Sequence, residues 1–585
     1  KDKGGFIMKR GKRLVKLLAG LLCICLLFTS CAPAELSDEK SIALKYSQEV
    51  QNLEKLCKVW GYTKYYHPAF LFREKDWDEE LLNLIPVVSE AKEDEVNDIL
   101  HEWFASLGEI DYRTVNRVPQ WVAAKEEDKS VQADTSWISE DYLGKELTED
   151  LSCFGPIPNI DRRKAPVVFE RSGVPNFLNE PIYSDFNESR KDNRLLTLFR
   201  IWNALEYYYP YLNLLEDHWN NLLPEMILQV LQVQDQHEFQ KVLEEIICTL
   251  QDGHVKFLDD DFFDDEFGKY TAPVQLVKAE GKYVVFHVLE KECPLQIGDV
   301  ILELDGQEIQ EVVNQRKQYC TLADKDRSTK NLVPYLLRSQ NPQMKITVLR
   351  DGSQLTLQVK GSTEDVTIGI WEADVPYQIL QGNIGLINPF QMPADRLFDA
   401  MEKLKNTNGL IIDMRQYPAN SEQLNFASVL SAYIQDSFRP FAQLNLPSQA
   451  VPGTFVRQVI SNNSQAGLLK NYDIYHYNKS VVVMMGETSK SQAETVILAL
   501  KQSSVVTTIG ETSNGSNGDV IELPLPNGQL LAFSSVGVSG AAGEQTQIVG
   551  IQPDIEVHPT IEGIKEGKDE LKEAAVAYIQ EQNAK

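Results

Sequence analysis

The stretch "SVVVMMGETSKSQAETVILALKQS", Ser480 to Ser503, has the pattern of a strand, a tight turn and a helix. Its first part is a continuous apolar run, which is typical of a strand buried on both faces of a parallel sheet. Its second part places apolar residues at helical spacing after Ser-x-x-Glu, a signature of a helix N-terminus. The stretch therefore predicts a strand–turn–helix unit with serines at the turn.

The sequence around this stretch alternates short apolar runs with helical patterns. The runs are "NIGLINPF" (383–390), "GLIIDMR" (409–415) and "VVTTIGE" (505–511), and "DRLFDAMEKLKNT" (395–407) has helical spacing. Strands and helices that alternate in this way are typical of a parallel sheet covered by helices. We therefore predict an α/β domain over residues 363–585.

The residues before this domain have the alternating pattern of antiparallel strands. The pattern covers "APVQLVKAEGKYVVFHVLE" (272–290) and "QMKITVLRDGSQLTLQV" (343–359). Between them, "QIGDVILELDGQEI" (296–309) resembles the turn and strand of PDZ domains, in which a Gly-Asp turn leads into an apolar strand and a hairpin. The resemblance implies a PDZ-like β domain over 270–362, and PDZ domains bind polypeptide C-termini by strand addition.

The N-terminal half contains an internal repeat. "KVWGYTKYYHPAFLFREKDWDEELLNLIP" (58–86) and "RIWNALEYYYPYLNLLEDHWNNLLPEMI" (200–227) match at an offset of 142 residues. Aromatic and aliphatic residues recur at helical spacing in both, so we predict two copies of one helical unit with aromatic cores. We place the first copy and a linker in 31–165, and the second copy in 166–268, where it ends in the sequence "DGH" that the first copy lacks.

The first thirty residues have the pattern of a targeting signal. "MKRGKRLVK" (8–16) is basic, and the apolar run "LLAGLLCICLLF" (17–28) is too short to span a bilayer comfortably. The sequence "LLFTSC", which ends at Cys31, resembles the lipobox of bacterial lipoproteins, and this implies removal of residues 1–30 and a lipid on Cys31. We expect an exported protein, lipid-anchored to the cell envelope on the periplasmic face or the cell surface; an ordinary signal peptide is the alternative.

Charge and cysteine usage exclude several classes of partner. The formal net charge is −28, whereas nucleic acids and anionic membrane surfaces require a basic footprint. We therefore predict no nucleic-acid partner and membrane contact only through the lipid anchor. The acidic run "LDDDFFDDEF" (258–267) lacks calcium-loop spacing and is predicted to be a solvated linker. Neither the cysteines nor the histidines have metal-ligand spacing, so we predict no metal and no cofactor.

Four motifs occur in an order that identifies a family. They are "LQDGH" (250–254), the PDZ-like turn, "GLIIDMRQYP" (409–418) and "GETSKSQAE" (486–494), followed by "GIQPDIEV" (550–557). In this order they resemble the C-terminal processing, or tail-specific, proteases of serine peptidase family S41, including the tricorn-like branch. The resemblance implies an α+β multidomain protein with a helical repeat, a PDZ-like domain and an α/β protease core of the ClpP/crotonase-like type.

The family's nucleophile motif, a serine three residues before a helix-opening glutamate, falls on Ser491 and Glu494. A helix N-terminus offers free backbone N–H groups and a positive dipole end, which favour a developing oxyanion. Ser491 could instead only cap the helix, with Glu494 completing a capping box. The ordered motifs favour Ser491 as the nucleophile and place Ser489 in the turn.

The base is where this sequence departs from the better-known branch of the family. That branch uses a lysine twenty-five residues after the serine, and Ser516 occupies the matching position here. A serine hydroxyl needs a base within reach to act as a nucleophile. The tricorn-like branch takes a histidine from an upstream segment, which the resemblance places at His254, a residue type suited to proton transfer near neutral pH. A surface histidine at a helix end is the alternative.

The remaining catalytic groups are less constrained by the sequence. The tricorn-like pattern puts a glutamate at the position of Gln547, and Gln547 or the nearby Glu544 could orient the imidazole. Asp252 is a further candidate, although its place two residues before the histidine favours a role in shaping the turn. The resemblance implies an oxyanion hole from the backbone N–H groups of Gln492 and of the loop around Ala419, without the family's usual Gly-Gly.

Together these patterns predict a lipid-anchored serine endopeptidase of the tail-specific type. It would bind a polypeptide substrate and cleave it through an acyl-enzyme. Binding of the substrate through its C-terminus is one option. The missing lysine, the missing Gly-Gly pair and Gln547 favour an alternative, a non-catalytic peptide-binding scaffold lipoprotein derived from such a protease.

Overall fold

The computed structural model describes residues 45–113, 128–258, 261–371, 375–419, 425–435, 437, 439–462 and 466–585. The predicted signal peptide and Cys31 lie outside the described residues. Across the described ranges, none of the helices combines the length and the apolar character needed to cross a membrane.

The N-terminal region contains two copies of a helical unit, as the repeat predicts. The first copy has helices α1 (Gln48–Tyr66), α2 (Pro68–Leu71), α3 (Trp77–Glu90) and α4 (Val96–Ser106), followed by strand β1 (Lys129–Gln132) and helix α5 (Glu140–Ser152). Short strands β2 (Val168–Phe169) and β3 (Pro175–Asn176) lead to helices α6 (Lys191–Tyr208), α7 (Trp219–Gln232) and α8 (Gln236–Cys248) of the second copy. The repeated tryptophans Trp60, Trp77, Trp202 and Trp219 are buried in one core that both copies share.

A cluster of four fully buried charged side chains ties the two copies together. Lys64 Nζ, from the first copy, lies 2.7 Å from Glu180 Oε1. Arg200, from the second copy, places Nε 3.3 Å from Glu180 Oε2 and also pairs with Asp78 of the first. Two positive and two negative groups balance one another, so each charge has the partner that burial demands.

Replacing Arg200 with methionine should lower the free energy of unfolding of the helical region by about 3 kcal/mol or more. The substitution leaves the buried carboxylates of Asp78 and Glu180 to share the single cation of Lys64. Urea unfolding followed by tryptophan fluorescence reports on this region, where Trp60 and Trp202 are buried. Lys92→Met, which removes an exposed ion pair with Glu95, is the matched control and should leave the transition in place. An equal transition in the two variants would contradict the role given to the cluster.

A second region forms the PDZ-like domain. Strand β4 (Lys256–Leu258) and helix α9 (Phe262–Phe267) lead into it. It contains strands β5 (Tyr270–Thr271), β6 (Val274–Ala279), β7 (Lys282–Val288), β8 (Val300–Leu304) and β9 (Gln307–Glu308), helix α10 (Ile309–Lys317), and strands β10 (Arg338–Ser339), β11 (Gln343–Arg350) and β12 (Ser353–Lys360). An antiparallel sheet in the order β12-β11-β8-β7-β6 is its main layer. The acidic run lies between the helical and PDZ-like regions as predicted, but its described residues 261–267 are not fully solvated, because helix α9 buries Phe262 and Phe267 against Tyr319.

The C-terminal region is the predicted α/β core. Its elements are β13 (Tyr377–Leu380), β14 (Ile384–Ile387), α11 (Leu397–Leu404), β15 (Gly409–Asp413), α12 (Phe426–Ile434), β16 (Pro440–Pro447), β17 (Thr454–Ser461), α13 (Ala466–Leu469), β18 (Val481–Met485), α14 (Gln492–Leu500), β19 (Val506–Gly510), β20 (Asp519–Pro524), β21 (Leu530–Gly540), β22 (Ile555–Glu556), α15 (Ile561–Glu566) and α16 (Glu570–Ala584). The central sheet has the order β13-β14-β15-β18-β19-β22 and is parallel from β14 onward. The strand of the opening stretch, β18, therefore lies in the middle of a buried parallel sheet.

A second sheet of the core recruits strands from the other regions. Its order is β1-β17-β16-β21-β20, and β4 also pairs with β21. Strand β1 comes from the helical region, and β4 follows its second copy directly. The end of the repeat is thereby fastened to the core, which brings the "DGH" segment to the edge of the predicted active site.

Candidate active site

Ser491 lies at the turn between strand β18 and helix α14. Its φ of 59° and ψ of −121° are values that residues with a side chain rarely adopt. Its backbone N–H donates to the carbonyl oxygen of Ser516 at 2.8 Å, and its side chain is half-buried. A strained serine at the end of a central strand, directly before a helix N-terminus, has the geometry expected of a nucleophile.

Ser489 has a different role. Its side chain is fully buried, and its hydroxyl donates to the carbonyl oxygen of Met414 at 2.8 Å while it accepts the N–H of Gly486 at 3.1 Å. These bonds close the turn and fasten it to the neighbouring strand end. Of the two serines in the opening stretch's turn, only Ser491 is placed to meet a substrate.

The Glu494 carboxylate organises the loop around the serine. It accepts the N–H of Gly515 at 2.9 Å, of Ser516 at 3.2 Å and of Ser491 at 3.3 Å, and the hydroxyl of Ser513 at 2.5 Å. Burial raises the pKa of Glu494, and these hydrogen bonds partly offset that effect. The capping-box interpretation and the nucleophile interpretation are thus compatible, because Glu494 holds the turn that presents Ser491.

Ser516, at the position of the family lysine, joins the serine turn to the "DGH" segment. Its hydroxyl accepts the N–H of Gly253 at 2.9 Å, and its carbonyl accepts the N–H of Ser491 at 2.8 Å. The carbonyl oxygen of the same Gly253 accepts a hydrogen bond from the Lys490 ammonium at 2.5 Å. The residue before His254 therefore contacts both Ser516 and the neighbour of Ser491.

His254 is oriented by a buried carboxylate. Its Nδ1 lies 3.2 Å from Asp252 Oδ1, which also accepts the His254 backbone N–H at 2.9 Å. Asp252 Oδ2 accepts the hydroxyl of Ser534 at 2.7 Å. Burial acts to raise the pKa of Asp252, but the charge and hydrogen bonds of His254 and the bond from Ser534 outweigh it and lower that pKa. Since Nδ1 faces Asp252, Nε2 is the ring nitrogen left for another partner.

The pairing of β4 with β21 explains this placement. Phe257 pairs with Leu531 and Lys256 with Ala532. When this antiparallel register is continued by two residues, His254 comes opposite Ser534. Asp252, which binds both residues, is consistent with this position. No hydrogen bond joins the His254 ring to the Ser491 hydroxyl in the part of the protein that the structure describes, and catalytic hydrogen bonds are often long before substrate binds.

The two residues predicted from the "GIQPD" region as orienting groups lie elsewhere. The Glu544 carboxylate is exposed and accepts the N–H of Ala542 in its own turn, beyond the far end of β21. Gln547 is buried, and its Oε1 accepts the N–H of Asn517 at 3.1 Å, while its Nε2 has no hydrogen-bond partner among the described residues. Neither contacts His254 in the structure, and the orienting contact belongs to Asp252.

The two predicted oxyanion donors differ in their hydrogen bonding. Gln492 is the first residue of helix α14, so its N–H has no acceptor within the helix. The N–H of Ala419 donates instead to the carbonyl oxygen of Pro389 at 2.9 Å. Ala419 in this conformation is therefore not free to stabilise an oxyanion.

Two residues of the PDZ-like region that the sequence does not single out also hold the site. Arg327 donates to the carbonyl oxygens of Ser513, Asn514 and Ile548 through its guanidinium group. Asn331 Nδ2 donates to the carbonyl oxygen of Gly253 at 3.0 Å. No sequence signal marks them, because their function depends on contacts between regions that are distant in sequence.

The site opens into a cleft between the PDZ-like region and the core. The cleft has a volume of about 740 Å³, and its lining includes His254, Lys330, Lys490 and the aromatic residues Phe263 and Tyr335. Aromatic walls with a few polar groups are common in sites that bind organic ligands. Among the described residues, no three His, Cys, Asp or Glu side chains are grouped as metal ligands.

Replacing Glu494 with glutamine should lower kcat by about tenfold or more with a smaller change in KM. The amide Nε2 would face backbone N–H groups that now donate to a carboxylate, so the turn bearing Ser491 would shift. The measurement is steady-state peptide cleavage, with exposed Glu402→Gln as the matched control. Unchanged kcat in the Glu494 variant would show that the carboxylate does not position the nucleophile.

Comparison with known families agrees with the domain content inferred above. Residues 436–557 match the model of Peptidase family S41, and residues 269–377 match a PDZ domain model. The protein therefore contains a serine-type peptidase domain of family S41 and a PDZ domain, and by this content it is a hydrolase of the peptidase class. No curated protein matches the sequence significantly.

The solved structures that match this protein share little sequence with it. A mutant of CPAF has 13% identity and a TM-score of 0.50, and the match covers 67% of this protein and 96% of that one. A putative peptidase from Parabacteroides merdae ATCC 43184 has 14% identity, a TM-score of 0.41 and coverage of 67% and 97%. The photosystem II D1 C-terminal processing protease has 18% identity, a TM-score of 0.36 and coverage of 65% and 98%. The likeness to the CPAF structure indicates a shared fold.

Proposed function

We propose that this protein is an exported, lipid-anchored serine endopeptidase of the tail-specific type, with Ser491 as nucleophile, His254 as base and Asp252 as the orienting carboxylate. The observation that carries the proposal is the double contact of Ser516, which binds Gly253 with its hydroxyl and Ser491 with its carbonyl. This contact brings the only histidine segment of the ordered motifs to the serine turn. The export and the anchor rest on the lipobox-like sequence at Cys31.

The proposed reaction proceeds through an acyl-enzyme. The Ser491 hydroxyl oxygen attacks the scissile carbonyl while His254 Nε2 takes the hydroxyl proton, and Asp252 stabilises the resulting imidazolium. The N–H of Gln492 is one donor to the oxyanion. Collapse of the tetrahedral intermediate breaks the C–N bond, and His254 returns the proton to the leaving amine. Water then attacks the ester with the same histidine as base, which releases the acid and restores Ser491.

The PDZ domain makes a polypeptide the natural class of substrate. PDZ domains bind extended peptides, with a preference for free C-termini, by adding a strand to a sheet edge. In this protein the PDZ-like region also forms one wall of the cleft that contains His254. We propose that a polypeptide held there by its C-terminus is delivered to Ser491.

The proposal is tested by incubating the purified protein with an unfolded protein and a mixed peptide pool, followed by mass spectrometry of the products. New internal peptide ends that accumulate with time are the expected result. If the folded protein binds peptides and produces no new ends, the scaffold alternative is correct and the protease proposal fails.

A further inference from the structure

We infer that Lys330 and Lys490 form a carboxylate-binding subsite beside the catalytic serine, which takes either an acidic side chain or the free C-terminal carboxylate of the substrate. The inference rests on the proposed function and deepens it, since it names the chemistry of the peptide that the cleft selects. Both lysines line the cleft that contains His254.

The first support is that both ammonium groups have hydrogen-bonding capacity left. Lys490 Nζ donates to the carbonyl oxygen of Gly253 at 2.5 Å, and Lys330 Nζ donates to the carbonyl oxygen of Thr488 at 2.9 Å. Each ammonium has three N–H donors, so each retains donors for a ligand. Among the described residues, neither lysine forms an ion pair with a carboxylate.

The second support is electrostatic. Burial, followed by repulsion from Lys330, lowers the pKa of Lys490 to about 8. Burial likewise lowers the pKa of Lys330. Two like charges held in a partly desolvated cleft without an ion-pair partner are costly, and a bound carboxylate would relieve that cost.

The three carboxylates whose charges act on the two lysines, Glu487, Asp252 and Glu494, are already engaged. Glu487 accepts the backbone N–H and hydroxyl of Thr329 and the N–H of Lys330. Asp252 binds His254 and Ser534, and Glu494 binds the loop before Ser516. Each of these acids satisfies other donors, which leaves the cationic side of the cleft available to a ligand.

The position of the pair relates the subsite to the reaction. Lys490 immediately precedes Ser491, and its ammonium contacts the residue before His254. A carboxylate bound there lies next to the residue proposed to attack the scissile bond, whereas strand addition to the PDZ sheet holds the substrate through main-chain hydrogen bonds to a sheet edge. The subsite therefore acts on cleavage-site selection and not only on capture of the substrate.

The test measures peptide binding to the full-length Ser491→Ala variant, so that binding is separated from cleavage. The probes are fluorescent peptides of one sequence in which Asn is replaced by Asp one position at a time, each made with a free or an amidated C-terminus. We expect the best carboxylate form to bind at least about tenfold more tightly than its neutral counterpart, as expected of a charge-assisted hydrogen bond. The Asp scan and the C-terminal pair distinguish the two sources of the carboxylate.

Removing the lysines should abolish this preference. In the double variant that carries both Lys330→Gln and Lys490→Gln, the dissociation constant of the neutral peptide divided by that of the carboxylate peptide should fall to about one. The Lys490→Arg variant should retain most of the preference. Lys325→Gln removes an exposed lysine from the same loop as Lys330 and should leave the ratio unchanged. Equal affinities of acidic and neutral peptides for the parent, or a ratio that survives in the double variant, would overturn the inference. If the double variant still prefers a free C-terminus over an amidated one, that preference arises from binding to the PDZ sheet.

The outcomes for the subsite and for the proposed protease function can be distinguished. If the ratio of dissociation constants depends on the two lysines but the parent protein cuts no peptide, the subsite is supported and the protease proposal is refuted. If the parent cleaves peptides but the ratio is unchanged when the lysines are replaced, the protease proposal is supported and the subsite is refuted. The circular dichroism melting curve of each variant shows whether loss of preference arises from unfolding, and the Lys490→Arg variant decides that case because it keeps the charge.

Discussion

Replacement of Ser491 by alanine is expected to abolish peptide cleavage while the protein stays folded. The residue lies in a strained turn between β18 and α14, and its hydroxyl is the atom proposed to form the acyl-enzyme. Without it, only oxyanion stabilisation and binding remain, so the rate of cleavage should fall by roughly 10⁴-fold or more. The measurement is the initial rate of product formation by mass spectrometry.

The matched control for this variant is Ser504→Ala, which removes an exposed serine just after the same helix. It should cleave at the parent rate. The backbone bonds of Ser491 to Ser516 and Glu494 involve its N–H and survive the alanine substitution, so Ser491→Ala should stay folded and lose no more than the stability of one helix cap, about 1 kcal/mol. Cleavage that persists in Ser491→Ala would remove the serine from the mechanism.

Replacement of His254 by alanine should have an effect of similar size, roughly 10⁴-fold in kcat, because the serine would lose its base. The rival base is Lys490, a lysine with a lowered pKa next in sequence to the nucleophile. A neutral peptide separates the two, since it does not need the carboxylate subsite. Lys490→Gln should still cut such a peptide with a kcat within about tenfold of the parent, whereas His254→Ala should not.

The opposite pattern would transfer the role of base to the lysine. If Lys490→Gln loses cleavage of neutral peptides as completely as His254→Ala does, or if His254→Ala retains it, the Ser–His mechanism is wrong. The Asp252→Asn variant adds a further check, because it keeps the shape of the contact to His254 Nδ1 and removes its charge. A fall in kcat in that variant would agree with an orienting carboxylate.

The arrangement of the domains can be predicted from sequence because each leaves a strong local pattern. The apolar run of β18 and the helix signature at Ser491 are contiguous, and the repeat keeps its aromatic spacing in both copies. These features depend on residues near one another in sequence, where periodicity is informative. The family matches to residues 269–377 and 436–557 agree with the same domains.

The rest of the site cannot be predicted because it depends on contacts between distant segments. The sequence favours a turn role for Asp252, and only the pairing of β4 with β21 places it against His254 and Ser534. Lys330 and Lys490 are 160 residues apart in sequence and carry no motif, so nothing in the sequence connects them to one cleft. The charge of the acidic run predicts a solvated segment, whereas its phenylalanines decide its structure.

The most direct test of the Ser491–His254 mechanism is covalent labelling of the full-length protein with a fluorophosphonate, followed by tryptic mapping. Trypsin cuts after Lys490 and Lys501, and the resulting peptide "SQAETVILALK" contains Ser491 as its only serine and excludes Ser489. We predict one adduct on this peptide, localised to Ser491 by fragmentation, that forms much more slowly in His254→Ala. A folded protein that takes up no label, labels at another residue, or labels Ser491 equally fast without His254 would contradict the mechanism.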